Sequence, residues 1–192
     1  MHGNIAPVAE RCKECLLRSE WCFCAEVPHL KFQTKLTIIR HWKERCRTSN
    51  SGRLVKQAIP ATELMDYGAP QAPFEPSQLN LDGAALLFPS DTPSTVPPKR
   101  LIILDGSWPQ ARKMMRRIPI LATLPRVQVQ PKTIPPTRIR QPPFRGGMAT
   151  IEAVARALDL LEGDGAGAEL DALFARLADT HYRLRGKIRP PR

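Results

Sequence analysis

Four cysteines near the start of the chain, Cys12-x-x-Cys15 and Cys22-x-Cys24, offer paired thiolates at a spacing that can close a tetrahedral zinc site. Metal bonds there would replace the core that so short a segment cannot build. An iron–sulfur cluster, a redox pair or unrelated thiols are the other readings of the same spacing. A fifth thiol, Cys46, sits between Arg45 and Arg47, whose charges favour a thiolate, but it stands outside the cluster as a bystander. The second stretch with chemistry in it is Leu101-Ile102-Ile103-Leu104-Asp105-Gly106-Ser107-Trp108. Ligands of α/β sheets bind where strands end and helices begin, and here an acid, a glycine and a hydroxyl follow four aliphatic residues.

The elements that must position these residues follow from periodicity. Leu101–Leu104 reads as a buried strand, and Ser107 or Trp108 caps a helix with Pro109 in its first turn and Arg112, Lys113, Arg116 and Arg117 along it. Earlier strands are expected at Lys35–Ile39 and Ala84–Phe88, and a later one at Arg126–Gln130. Between the first two, Asn50 or Ser51 caps a short helix that Pro60 stops, while residues 61–83 carry little pattern. His41, in the loop after the first strand, is a candidate base, a nucleotide contact or a hydrogen-bonding residue. A helix starts near Thr150, a natural cap, with Glu152 in its first turn. A last helix carries Leu170, Leu173, Phe174, Leu177 and Leu184 on one face, with His181 packed beside them. Continuous aliphatic strands separated by helices predict the α/β class, with a mostly parallel sheet flanked by helices. The 192 residues fit one such domain over 31–192 and a small zinc-binding unit, built on the four cysteines, over 1–30.

Charge narrows the partners. Lys and Arg number 29 against 18 Asp and Glu, a formal net charge of +11, which points to nucleic acid ahead of a membrane surface, or to a solvated basic face. Hydrophobic content of 42% argues against a largely disordered chain, and the 20 prolines gather in loops, where they stiffen connections. Met1–Ala9 holds no apolar run of signal-peptide length and no run approaches a membrane span, so a cytoplasmic protein is expected. Reducing conditions there favour metal over disulfides for the clustered cysteines.

Taken in order, these motifs resemble the DTW-domain family, the tRNA-uridine aminocarboxypropyltransferases. Asp105-Gly106-Ser107-Trp108 corresponds to the family's Asp-Gly-Thr-Trp motif, continued by Gln110-Ala111-Arg112-Lys113-Met114. The cysteine cluster, the His41–Glu44 segment, Asn50-Ser51-Gly52-Arg53-Leu54, Leu87-Phe88-Pro89, Arg138-Ile139-Arg140 and Ala149-Thr150-Ile151-Glu152-Ala153 stand in the same order. Three departures are visible. Ser107 replaces the usual Thr and keeps its hydroxyl, Trp42 stands where a proline is common, and Ala149 replaces a serine, so a capping box with Glu152 loses its hydroxyl half.

The family is similar to SPOUT-type RNA methyltransferases. The resemblance therefore implies a SPOUT-like domain that binds S-adenosylmethionine (SAM) in a C-terminal trefoil knot, beside a structural zinc ion held by Cys12, Cys15, Cys22 and Cys24. It implies transfer of the 3-amino-3-carboxypropyl group of SAM to N3 of a tRNA uridine, with release of methylthioadenosine. Asp105 is then the candidate for taking the N3 proton, or it only holds the loop and the ligand. Leu87, Phe88, Pro89, Leu104 and Gly106 are expected walls of the adenosine pocket, closed by Thr150 and Glu152. The helix start at Ser107 is expected to offer free N–H groups to the amino-acid carboxylate. Trp108 packs on adenine, on the substrate base or in the core. Arg112, Lys113, Arg116, Arg138, Arg140 and Arg145 are expected on RNA phosphates, with His41, Asn50 and Arg53 on the same surface. An RNA methyltransferase using the same pocket and a non-catalytic zinc-containing RNA-binding protein are the alternatives. Neither the tRNA position nor the oligomeric state follows from the chain.

Overall fold

The computed structural model describes residues 10–132, 139–140 and 146–186. Short 3₁₀ turns lead into β1 (Lys35–His41), α1 (Ser51–Ala58), β2 (Glu63–Tyr67), β3 (Ala84–Leu87), β4 (Arg100–Asp105), α2 (Trp108–Arg117), β5 (Arg126–Val127), α3 (Thr150–Glu162) and α4 (Ala168–Leu184). The strands form one sheet in the order β2-β1-β4-β3-β5, with every pairing parallel. Parallel ladders are covered on both faces, which is why β1, β3 and β4 are aliphatic almost throughout. Alternation sorts their side chains between two cores. Leu36, Ile38, Leu101 and Ile103 pack with α1, α3 and α4, whereas Ile39, Ile102 and Leu104 pack with α2.

The helix after β1 and the helix after β4 thus cover opposite faces. Chain crossings diverge between these two neighbouring strands, and a crevice opens at their C-terminal ends. Asp105 is the last residue of β4. It continues the Leu101, Ile103 alternation and so points to the α1/α3 face of that crevice.

Local chemistry sets the helix starts. Asn50 caps α1, its Oδ1 accepting from Arg53 N at 3.0 Å. Ser107 caps α2 in a full capping box, with Gln110 Oε1 accepting from Ser107 N at 2.6 Å and Ser107 Oγ accepting from Gln110 N at 3.4 Å. The start of α3 differs from expectation. Thr150 is its first residue and not its cap; Ala149 occupies the cap position, and only the reciprocal half of the box survives, Glu152 Oε2 accepting from Ala149 N at 2.7 Å.

Two strands also differ. β2 lies inside the stretch that carries little pattern, because an edge strand with half-exposed side chains need not alternate. β5 stops at Val127, and beyond it Gln128 meets the 88–92 loop through its side chain, Oε1 accepting from Ser90 N at 2.6 Å. No described helix is long and apolar enough to cross a membrane.

Across the C-terminal ends, Arg40 of β1 stands in register with Asp66 on β2 and Asp105 on β4. Its guanidinium forks onto Asp66, Nε to Oδ1 at 2.7 Å and Nη2 to Oδ2 at 3.1 Å. Arg40 is the buried member of this pair, so removing Asp66 leaves a buried charge uncompensated. Asp66→Ala is accordingly expected to cost about 3 kcal/mol in urea unfolding; a loss below about 1 kcal/mol would mean that Arg40 re-pairs with Asp105.

Candidate functional site

Asp105 is the centre of the crevice. Its side chain is enclosed, the residue being 3% exposed, and each carboxylate oxygen accepts a short hydrogen bond. Asn50 Nδ2 donates to Oδ2 and Thr150 Oγ1 to Oδ1, both at 2.6 Å. The two donors are the cap of α1 and the first residue of α3, so one carboxylate ties together the starts of two helices. Ser51 Oγ, accepting from Ile151 N at 3.3 Å, makes a second tie between them. Burial pushes the Asp105 carboxyl above the usual carboxylate range, against the pull of the Asn50 and Thr150 donors; nearby Glu44 adds to the upward push and Arg40 opposes it. The positive ends of α1 and α3 also favour the anion. With four lone-pair sites and two donors, the carboxylate retains capacity to accept a further proton donor.

Around it the crevice forms a cavity of two lobes. One lobe, about 290 Å³, is lined by Glu44, Asn50, Asp105, Ser107, Arg140 and Glu152 and floored by Phe174. The other, about 240 Å³, has apolar walls from Leu87, Phe88, Pro89, Leu104, Val127 and Met148, with Gln128 and Gln130 at its edge. Gly106, Trp108, Met148 and Thr150 line both and form the partition. Together the lobes have the size of a small-molecule site. All ten positions expected around the co-substrate, Leu87, Phe88, Pro89, Leu104, Asp105, Gly106, Ser107, Trp108, Thr150 and Glu152, face one lobe or the other.

The charged lobe is unusually acidic. Glu44, 2% exposed, holds Arg140, whose Nη2 donates to Glu44 Oε2 at 2.8 Å and to Ser49 Oγ at 2.7 Å. Arg140 therefore belongs to the cavity wall. The start of α2 offers less than the sequence suggests: Ser107 N and Gln110 N are consumed by their own capping box, and Pro109 has no N–H.

The remaining RNA candidates are dispersed. Asn50 is buried, with its side chain committed to Asp105 and to Arg53 N. Arg53 is half-buried and braces the carbonyls of Cys15, Arg45 and Arg47. His41 Nδ1 accepts from Lys43 N at 3.3 Å, and burial lowers the pKa of the ring. Arg112, Lys113 and Arg116 are exposed on α2, and Arg138 and Arg145 lie outside the described residues. Sequence reasoning passes over Asp66 and names Gly52 only as a member of its motif, with no role. Gly52 is an unforced glycine in a helix, a signal of close approach.

The cysteine cluster is compact. All four Sγ atoms lie within 4.8 Å of one another, and Cys12–Cys24 and Cys15–Cys22 are each separated by 3.8 Å. That separation is the edge of a tetrahedron with metal–sulfur bonds of about 2.3 Å and is far longer than a disulfide of about 2.05 Å. The N–H of Cys15, with that of Glu14, helps hold Cys12 down at about 7, while burial raises Cys15 to about 11 and Cys24 further. A cation would compensate four thiolates in this setting, and the donor set fits zinc. Gln57 Nε2 on α1 approaches Cys24 Sγ at 3.6 Å.

An open parallel α/β sheet with a cavity at its switch point is a ligand-binding class in itself. The chain belongs to the DTW-domain family: the DTW domain matches residues 9–182, and of the motif's two namesake residues Asp105 lines the charged lobe while Trp108 stands in the partition. It is similar to "tRNA-uridine aminocarboxypropyltransferase 2" of Drosophila melanogaster, 24% identical over 167 residues, which cover 79% of this chain and 66% of that protein. It is similar also to the Mus musculus protein of the same name, 25% identical over 169 residues, covering 79% and 56%. The chain thus spans just under two thirds of the fly relative and little more than half of the mouse one. No solved structure gives a significant match.

Proposed function

We propose that the chain transfers the 3-amino-3-carboxypropyl group of SAM to N3 of a uridine in tRNA. The observation that carries this reading is the two-lobed cavity with Asp105 in its wall. The apolar lobe suits adenosine, and the charged lobe suits the aminocarboxypropyl group together with the target base. There Arg140 is the cation for the α-carboxylate, and Glu44 and Glu152 face the ammonium. The names of the relatives, tRNA-uridine aminocarboxypropyltransferases, support the substrate class. A SPOUT-like knot, the division at residues 30 and 31, a bound structural zinc and a cytoplasmic location belong to the same proposal.

The transfer forms a bond from uridine N3 to the terminal side-chain carbon of the amino-acid group and breaks that carbon's bond to sulfur. The bonding pair stays on sulfur, so the sulfonium leaves as neutral methylthioadenosine. Asp105 accepts the N3 proton, and Asn50 and Thr150 fix the geometry of its oxygens. Three carbons on the sulfonium are activated, so the partition formed by Gly106, Trp108, Met148 and Thr150 determines which of them faces the nucleophile.

Incubating the protein with SAM and tRNA is expected to yield an aminocarboxypropyl adduct on uridine and methylthioadenosine. A methyl adduct with S-adenosylhomocysteine would replace this reading with the methyltransferase, and no adduct on any uridine would sink both. Asp105→Asn is expected to abolish turnover and to spare SAM binding. Because burial raises the Asp105 pKa, the acid limb of the wild-type rate profile should lie above the ordinary aspartate value of about 4, with activity rising as pH climbs through it. Substantial turnover by the Asn variant would remove Asp105 from the role of base.

A further inference from the structure

A third concavity lies outside the site. It is an open cleft of about 1140 Å³ between the 88–92 loop, α2 and the turn that follows it. Phe88 and Pro89 belong both to this cleft and to the apolar lobe, and Pro109 to both the cleft and the charged lobe, so the inner end of the cleft is the rim of the cavity. Arg112, Arg116 and Arg126 line it against a single acid, Asp91. Arg112 and Arg116 are one helical turn apart and share a side of α2. Arg126 is fixed in place. It opens β5, its carbonyl accepts from Ser94 N at 2.8 Å, and its guanidinium lies 5.7 Å over the Phe88 ring beside Met115 Sδ.

We infer that this cleft is the track for the single-stranded RNA flanking the target uridine, with Arg112 and Arg116 on phosphates and the Phe88–Arg126 pair as a platform for the neighbouring base. The inference rests on the proposed tRNA substrate. Chemistry on a base takes it out of the helical stack, so the nucleotides entering the cavity are unpaired. A cationic groove with an aromatic face along it is the combination that holds a single strand, whereas duplex RNA is read by shape across successive minor grooves. Arg126 thereby acquires a role that its place in a strand conceals, and Phe88 serves the adenosine pocket on one side and the RNA on the other.

Arg126→Gln, Arg112→Gln and Arg116→Gln test this against Lys99→Gln, which removes the same charge at the opposite, N-terminal end of β4. Binding of unmodified tRNA is measured across about 0.1–0.3 M salt, where charges beyond roughly 10 Å are screened. Each cleft variant is expected to weaken tRNA binding about tenfold with unchanged SAM affinity and thermal midpoint, and Arg112→Gln and Arg116→Gln each to reduce the salt slope by roughly 0.7, the share of one phosphate contact on a single strand. Lys99→Gln is expected to match wild type. Cleft variants that bind tRNA like Lys99→Gln would overturn the track, as would an Arg126→Gln variant that loses SAM and keeps tRNA. A protein that binds tRNA through the cleft and forms no adduct leaves the track standing and removes the transfer reaction alone. Equal loss of affinity for a short duplex RNA and for an oligouridine strand would overturn the single-strand assignment.

Discussion

Gly52→Ala is expected to destroy the site. A Cβ at this position would lie 2.6 Å from both Cγ and Oδ2 of Asp105 and 2.9 Å from Oδ1, closer than non-bonded carbon ever sits. The carboxylate cannot step aside cheaply, because Asn50 and Thr150 hold its two oxygens and α1 and α3 close over it. Displacing it breaks both short bonds and leaves a buried charge poorly solvated. Helix propensity alone argues the opposite sign: Gly52 is the second residue of α1, where alanine is better by up to about 1 kcal/mol. The sign of the effect therefore discriminates between the two causes. We expect destabilisation of about 1–3 kcal/mol, as for overpacking, and at least a hundredfold loss of turnover, the usual consequence of misplacing a reacting group by about 1 Å. A more stable, active variant would mean that the Asp105 carboxylate swings freely and that its contact with α1 is incidental. Thr150→Val, which removes one donor without adding volume, should lower turnover less and shift the acid limb of the rate profile upward, because a donor that depresses the Asp105 pKa is lost.

The parallel sheet and the place of Asp105 are legible in the sequence because continuous aliphatic runs report two-sided burial, and because the residue after such a run is forced to the end of a strand. Part of the cavity wall follows from the family resemblance, which carries Leu87-Phe88-Pro89 and Thr150–Glu152 to the same loop ends. What the sequence conceals depends on pairing in space. Asp66 meets Arg40 only through the register of an edge strand without pattern. Glu44 and Arg140, 96 residues apart, meet only because loops from opposite ends of the chain share the crevice. Asn50 reads as a polar loop residue suited to RNA, yet the same side chain that caps α1 also has a donor to give, and the nearest acceptor is Asp105. Capping chemistry is local and readable; the second bond of a cap is tertiary.

Metal removal is the other experiment with a large expected effect, and it separates two roles for the cysteine unit. The segment holding the four thiols buries Cys15, Leu17 and Phe23 in the main core, with Cys12, Trp21, Cys22 and Cys24 partly buried against it. Its remaining ties run to α1 and α4. Gln57 reaches Cys24, Arg53 reaches the Cys15 carbonyl at 3.4 Å, and Arg176 covers Phe23 at 4.9 Å while forking onto Glu26. Two of these ties are to α1, the helix that delivers Asn50 and Gly52 to Asp105. If the cluster binds zinc and braces this helix, stripping the ion disturbs the far end of α1 even when no RNA is present. Chelation, or Cys24→Ser, is then expected to remove a stoichiometric zinc ion and to lower the thermal midpoint by about 10 °C, equivalent to roughly 3–4 kcal/mol for a chain of this size. SAM affinity measured without RNA should fall at least tenfold. A unit that serves RNA alone gives a different pattern, with SAM affinity and the midpoint held while tRNA binding drops. Unchanged metal content in Cys24→Ser would overturn the assignment of the ion to the four-cysteine set, and Gln57→Leu, which keeps all four thiols, should reproduce a fraction of the SAM effect only if the coupling passes through α1.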